Sequence, residues 1–144
     1  MRREAPAEPL SARPQFRFEK LTVWHSARRL NGEIYTATLA FPKEELFGLT
    51  SQIRRAAVSI AANIAEGSGR NSDADFARFL EIAYASAMEL AALLYVATDT
   101  GRLDPRARDV LLGLTSEVTA QRTALNRSLE VTHSKTRFPR RSAT

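Results

Sequence analysis

From Thr22 to about Ala40, apolar side chains return at every third or fourth position: Val23, Trp24, Ala27, Leu30, Ile34 and Tyr35, with Thr38 in the same register. That repeat is one face of an α-helix and predicts a first helix. Residues 41–48 break the pattern with Pro42 and Gly48 but keep Phe41, Leu46 and Phe47. An ordered connector with a helical turn is expected there, its three large apolar side chains packed on the body of the protein. A second stripe follows at Leu49, Ile53, Ala56, Ala57, Ile60 and Ile64, with Thr50 placed to cap the helix and Gly67 to stop it after Glu66. This helix is rich in small residues (Ala56, Ala57, Ser59, Ala61, Ala62, Ala65), so neighbouring helices can approach it closely and on more than one side.

Ser72, with Asp75 three residues on, has the form of a capping box and opens a third helix. Its apolar positions Phe76, Leu80, Ala83, Ala87, Leu90, Leu94 and Ala97 step by 4, 3, 4, 3, 4, 3, which holds one seam toward a partner for about seven turns. Gly101 closes that helix, and Asp104-Pro105 supplies an N-cap and a first-turn proline for the fourth. The same stepping recurs at Ala107, Leu111, Leu114, Val118, Gln121, Leu125 and Ser128, then dissolves after Leu129. Four helices joined by short links predict an all-α fold, an antiparallel up-and-down four-helix bundle. No period of about 30 to 45 residues repeats, which disfavours a solenoid. Residues 1–17, with Pro6, Pro9 and Pro14, read as a disordered leader, residues 18–130 as the bundle, and residues 131–144 as a basic disordered tail.

Charge changes this picture by where it sits. The chain of 144 residues carries a net +5. Residues 1–17 hold four arginines against two glutamates, and residues 131–144 hold Lys135, Arg137, Arg140 and Arg141 with no acid, which leaves −1 for residues 18–130. Basicity therefore belongs to the ends. The chain has no cysteine, which excludes disulfides, thiolate metal sites and cysteine nucleophiles and fits the cytoplasm. No stretch approaches about 20 uninterrupted apolar residues, so no membrane span is expected.

The usual chemistries find little to work with. The two histidines, His25 and His133, have no glutamate three residues before them, as a bundle di-iron site would require. Gly67-Ser68-Gly69-Arg70 follows a helix rather than a strand and lacks the phosphate-loop lysine. No catalytic residue, metal or cofactor is expected. Glu66 lies in the last turn of a helix, where the dipole disfavours an acid. A network with Asn63 one turn earlier and Arg70 beyond, or with an arginine of a neighbouring subunit, is expected to fix the loop. Arg54 and Arg55 near a helix start, Arg70, and the tail cations Lys135, Arg137, Arg140 and Arg141 are the candidate nucleic-acid contacts. Acidic groups across a subunit interface are the competing partners for Arg54 and Arg55, and Phe138 alone is too little for a stacking platform.

Several stretches carry a family pattern: Phe18…Leu21-x-Val23-Trp24, Ile34-Tyr35…Phe41-Pro42…Phe47-Gly48-Leu49, Gln52 to Ile60, Asn63-Ile64-Ala65-Glu66-Gly67…Gly69-Arg70, and Phe79-Leu80…Ala83…Ser86-Ala87…Glu89-Leu90. Over residues 18–130 the chain resembles the 23S rRNA intervening-sequence family of bundle proteins. The resemblance implies an antiparallel four-helix bundle that assembles into a ring-like homopentamer. It also implies kinship with the accessory bundle protein of diversity-generating retroelements, which is associated with binding a reverse transcriptase and nucleic acid. Three positions depart from the family pattern. Ala61 stands where proline is frequent, Ala85 where glycine is, and Ala91 where an acid is; all three favour a more regular helix. Two functions are expected. One is a non-enzymatic homo-oligomeric scaffold or adaptor with weak, nonspecific binding of RNA or DNA. The alternative is a docking module for a partner protein such as a reverse transcriptase, without direct nucleic-acid contact.

Overall fold

The structure, a computed structural model, describes residues 13–135, with side chains through residue 130. A 3-10 turn at Arg17–Lys20 leads into α1 (Thr22–Thr38), a second 3-10 turn at Lys43–Glu45 precedes α2 (Leu49–Ser68), and α3 (Asp73–Asp99) and α4 (Pro105–Lys135) complete the chain. α2 packs between α1 and α3, α3 packs on α4, and α4 returns to α1, with no close backbone approach across either diagonal. This is the expected four-helix bundle. The antiparallel sense shows in the cross-helix pairs: Asn31 and Thr38 of α1 meet Ala57 and Arg54 of α2 in reversed order.

Every predicted seam position of α3 is buried, and the core is completed by Leu30, Ile34, Ile53, Ile60, Ile64 and Val118. The caps at the starts of α3 and α4 follow the sequence. Ser72 Oγ accepts from the Asp75 amide at 3.1 Å, and Asp104 Oδ1 accepts from the Arg106 amide at 2.9 Å. Gly101 adopts φ +74°, the left-handed conformation that lets the Arg102 and Leu103 amides turn back to the Ala97 carbonyl.

Five expectations need correction. Gly67 does not stop α2 but lies buried inside it, because α3 comes so close there that a Cβ would stand 2.6 Å from Phe79 Cβ and 2.9 Å from Phe76 Cδ1. Thr50 is not the cap. Gly48 precedes the helix, Glu45 Oε2 takes the Leu49 amide at 3.2 Å, and Thr50 is buried with its hydroxyl unpartnered among the described residues. The connector does not fold all its apolar groups inward: Phe41 is buried, but Leu46 is 49% and Phe47 94% exposed. α4 continues to Lys135, five residues beyond the expected bundle end, and near that end Leu129 rather than Ser128 faces the core. Finally, residues 13–17 of the expected leader are tied down, by an Arg13–Glu19 ion pair of 2.8 Å and by Arg17 over the Phe76 ring.

α3 is also long and apolar enough, by length and composition, to cross a membrane, although two carboxylates, Glu81 and Glu89, interrupt it. Only 33% of its most apolar 18-residue stretch is buried.

The close approaches on α2 give two expected outcomes. Gly67→Ala gains helix propensity of about 1 kcal/mol, yet the clash with the Phe79 Cβ and the Phe76 ring outweighs it. The denaturation midpoint falls, by about 1–3 kcal/mol of stability; a rise would mean the α2–α3 contact is loose. Ala57 is fully buried, and Ala57→Leu destabilises by a similar ~1–3 kcal/mol. The same change at exposed Ala120 leaves the midpoint within about 0.5 kcal/mol.

Candidate functional site

The structure does not join Asn63, Glu66 and Arg70 into one network. Asn63 Nδ2 donates one turn back, to the Ser59 carbonyl at 2.8 Å and to Ser59 Oγ at 3.0 Å. Ser59 Oγ meets Ser86 Oγ of α3 at 2.8 Å. A polar bridge between α2 and α3 therefore takes the place expected of the loop network. Glu66 is exposed without a partner among the described residues. The Arg70 guanidinium lies instead over the Phe79 ring, 4.6 Å from its centre. The reason is geometric: α2 continues through Gly67, which carries Arg70 past the turn and over the ring of Phe79, whose Cβ faces that glycine.

Arg54 and Arg55 are adjacent in sequence and differ in surroundings. Arg54 faces α1, its Nε donating to Thr38 Oγ1 at 2.9 Å and its guanidinium 4.6 Å from the Tyr35 ring centre. Arg55 is exposed. Lys135 is the last helical residue, and Arg137, Arg140 and Arg141 lie outside the described residues.

The pattern that the sequence reading missed is general. Arg13, Arg17, Arg28, Arg54, Arg70, Arg108 and Arg122 all sit over aromatic rings, at 4.6 to 5.7 Å from the ring centres. Among the described residues, only Arg13 and Arg108 of these also form an ion pair with a carboxylate. A guanidinium on a ring face is held in place by the ring quadrupole while its charge stays uncancelled and its edge keeps N–H donors free. Arg28, one turn beyond Trp24, was legible as an i, i+4 pair. Arg13 over Phe16 is also local, whereas the others depend on how the elements pack together: Arg108 and Arg122 of α4 reach Tyr95 and Tyr84 of α3.

Two shallow grooves run along the outside of the α1–α2 pair. One, of about 670 Å³, is walled by Tyr35, Leu46, Phe47 and Val58 and flanked by Arg54 and Arg55. The buried, unpartnered Thr50 hydroxyl lies in its wall. The other, of about 240 Å³, has Trp24 and Arg28 on one side and Ala61, Ala62 and Ala65 as its floor. Val58 borders both, so they form one surface, and among the described residues no carboxylate lines either. A third cleft, of about 790 Å³ between the first half of α3 and the end of α4, mixes Asp73, Glu81 and Glu130 with Arg78 and Arg122. Among the described residues no three Asp, Glu or His side chains gather as metal ligands. The arrangement offers binding faces: apolar patches, each bordered by fixed guanidinium groups.

Residues 19–124 match the family described as 23S rRNA-intervening sequence protein. Among solved structures, a protein of unknown function from the S23 ribosomal protein family of Bacteroides thetaiotaomicron superposes with a TM-score of 0.66 at 23% identity. The match covers 74% of this chain and 99% of that one, and it shows that the two share a fold. No curated protein matches the chain. The family match runs from the first 3-10 turn well into α4 and takes in the whole of α1, α2 and α3; the chain belongs to the 23S rRNA-intervening sequence protein family.

Proposed function

We propose that the protein is a non-enzymatic, homo-oligomeric bundle, five-membered by its family resemblance, that acts as a scaffold or adaptor and binds nucleic acid weakly without sequence preference. The observation that carries this reading is the amount of large apolar surface left open. Phe47 is 94% and Leu39 77% exposed, and Tyr35, Leu46 and Val58 extend the same face. Contiguous apolar patches of this kind on a small domain mark contact with another macromolecule. Nucleic-acid binding is supported by the guanidinium groups of Arg17, Arg28, Arg54, Arg70 and Arg122, which face rings rather than carboxylates, and by the four cations of residues 131–144.

Light scattering of the full chain is expected to give a mass several times that of the 16.0 kDa chain. Phe47→Ser removes about 1.5–3 kcal/mol of burial per contact, so it weakens assembly by roughly 10- to 100-fold while the helix content stays unchanged. A monomeric wild-type chain would refute the assembly.

Fluorescence anisotropy with single-stranded RNA tests the second half. If the four cations of residues 131–144 each neutralise a phosphate, the logarithm of affinity falls with the logarithm of salt at a slope of roughly −3, from about −0.7 per contact. A chain ending at residue 130 loses most of that slope. Equal binding by the shortened chain would move the contact to Arg54, Arg55 and Arg70. The absence of RNA binding, with a protein still recovered by pull-down after nuclease treatment, would favour the docking-module alternative that the apolar groove also supports.

A further inference from the structure

Resting on the assembly proposed above, we infer which two surfaces meet: the outward face of α3 in one copy lies in the arginine-flanked α1–α2 groove of the next. From Phe79 to Gly101 the chain carries three carboxylates, Glu81, Glu89 and Asp99, and not one lysine or arginine. Ile82, Met88, Tyr95 and Val96 are exposed on the same helix, which is why so little of so apolar a helix is buried. This face is therefore apolar, and the only charges its own helix adds to it are negative, with Arg108 of α4 bordering it at Tyr95. The α1–α2 groove is its complement, apolar along Phe47 and Val58 and bordered by Arg28, Arg54 and Arg55, with no carboxylate among its described lining residues.

The dimensions agree as well as the charges. Fourteen residues separate Ile82 from Val96 on α3, and fourteen separate Ser51 from Ala65 along the groove, about 21 Å in each case at 1.5 Å per residue. The small side chains of Ala61, Ala62 and Ala65 on the groove floor let a helix backbone come close. A bilayer is the poorer occupant for the α3 face, since Glu81 and Glu89 would enter the hydrocarbon without partners. The two faces belong to different sides of one bundle, so they cannot satisfy each other within a chain. Pairing them between chains is head-to-tail, a contact that propagates until the rotation closes a ring.

Two full-length variants test this. Val58→Glu places a carboxylate in the groove against the carboxylates of α3, and Met88→Arg places a cation on α3 against the groove arginines. Val58 and Met88 are 46% and 43% exposed, so circular dichroism and the melting midpoint are expected to stay near wild type. Should either misfold, Ala62→Glu and Ala92→Arg, both at exposed alanines, replace them. Each variant alone is expected to be monomeric. Mixed in equal amounts they associate again, to at least a dimer of twice the 16.0 kDa chain, because each supplies the one unaltered face that the other lacks.

Persistence of the wild-type assembly in either single variant overturns the pairing, as does a mixture that stays monomeric or a Val58→Glu chain that dimerises by itself. A wild-type chain that is monomeric fails the assembly reading as a whole, and its recovery with lipid vesicles or with an acidic helical peptide would reassign the faces to those partners.

Discussion

At position 67 the chain has no side chain, and the two central helices meet through that gap. Phe76 and Phe79 of α3 occupy the space where a Cβ would stand, and from this contact the rest of one pole is built. Phe76 receives Arg17, whose guanidinium also reaches the Ser68 carbonyl at 3.5 Å, and Phe79 receives Arg70. Further along the same interface, the Ser59–Ser86 hydroxyl pair and the Asn63 amide keep α2 and α3 in register with polar groups that an apolar seam could not align. The small residues of α2 have the same role toward α1, where the Ala57 carbonyl accepts from Asn31 at 2.8 Å. Helix two is thus the element against which two others are measured.

Arginine side chains on this protein are oriented more by rings than by acids. Each such contact contributes modestly, about 0.5–1 kcal/mol at exposed sites, but it settles where the charge points. Lysine would not substitute, since the planar guanidinium is what stacks on the ring. The exposed carboxylates of α3, by contrast, have no cation on their own helix between Phe79 and Gly101. Charge is thereby sorted by helix: acidic on α3, basic along α1 and the start of α2. A nearly neutral bundle with sorted charge has directional faces, which net charge alone does not reveal.

The architecture was legible because the apolar stepping of α3 and the caps at Ser72 and Asp104 depend on local chemistry that sequence displays directly. The errors share a cause. Gly67 read as a stop and Thr50 as a cap because both judgments use local propensity, whereas the close packing of α3 and the carboxylate of Glu45 decide those positions from elsewhere in the chain. Phe47 read as buried because apolar residues in a connector usually pack; its exposure is invisible until the neighbouring helices are placed. Of the candidate contact residues, Arg54, Arg55 and Arg70 were identifiable by position, but the ring partners of Arg54 and Arg70, Tyr35 and Phe79, lie 19 residues before the one and 9 after the other, and nothing in the linear pattern links them.

Both described ends of the chain lie at the same pole, around the first turn of α3. Arg17 rests on Phe76 there, and Leu129 and Glu130 share a cleft with Asp73 and Ala74. Such a bundle lends itself to circular permutation, because a short linker can join the ends while new termini open at the exposed Phe47-Gly48 connector on the opposite pole. The same layout makes the molecule polar as a display device. Both described ends leave the bundle beside the α2–α3 turn, while the far pole, with its open phenylalanine, faces the other way.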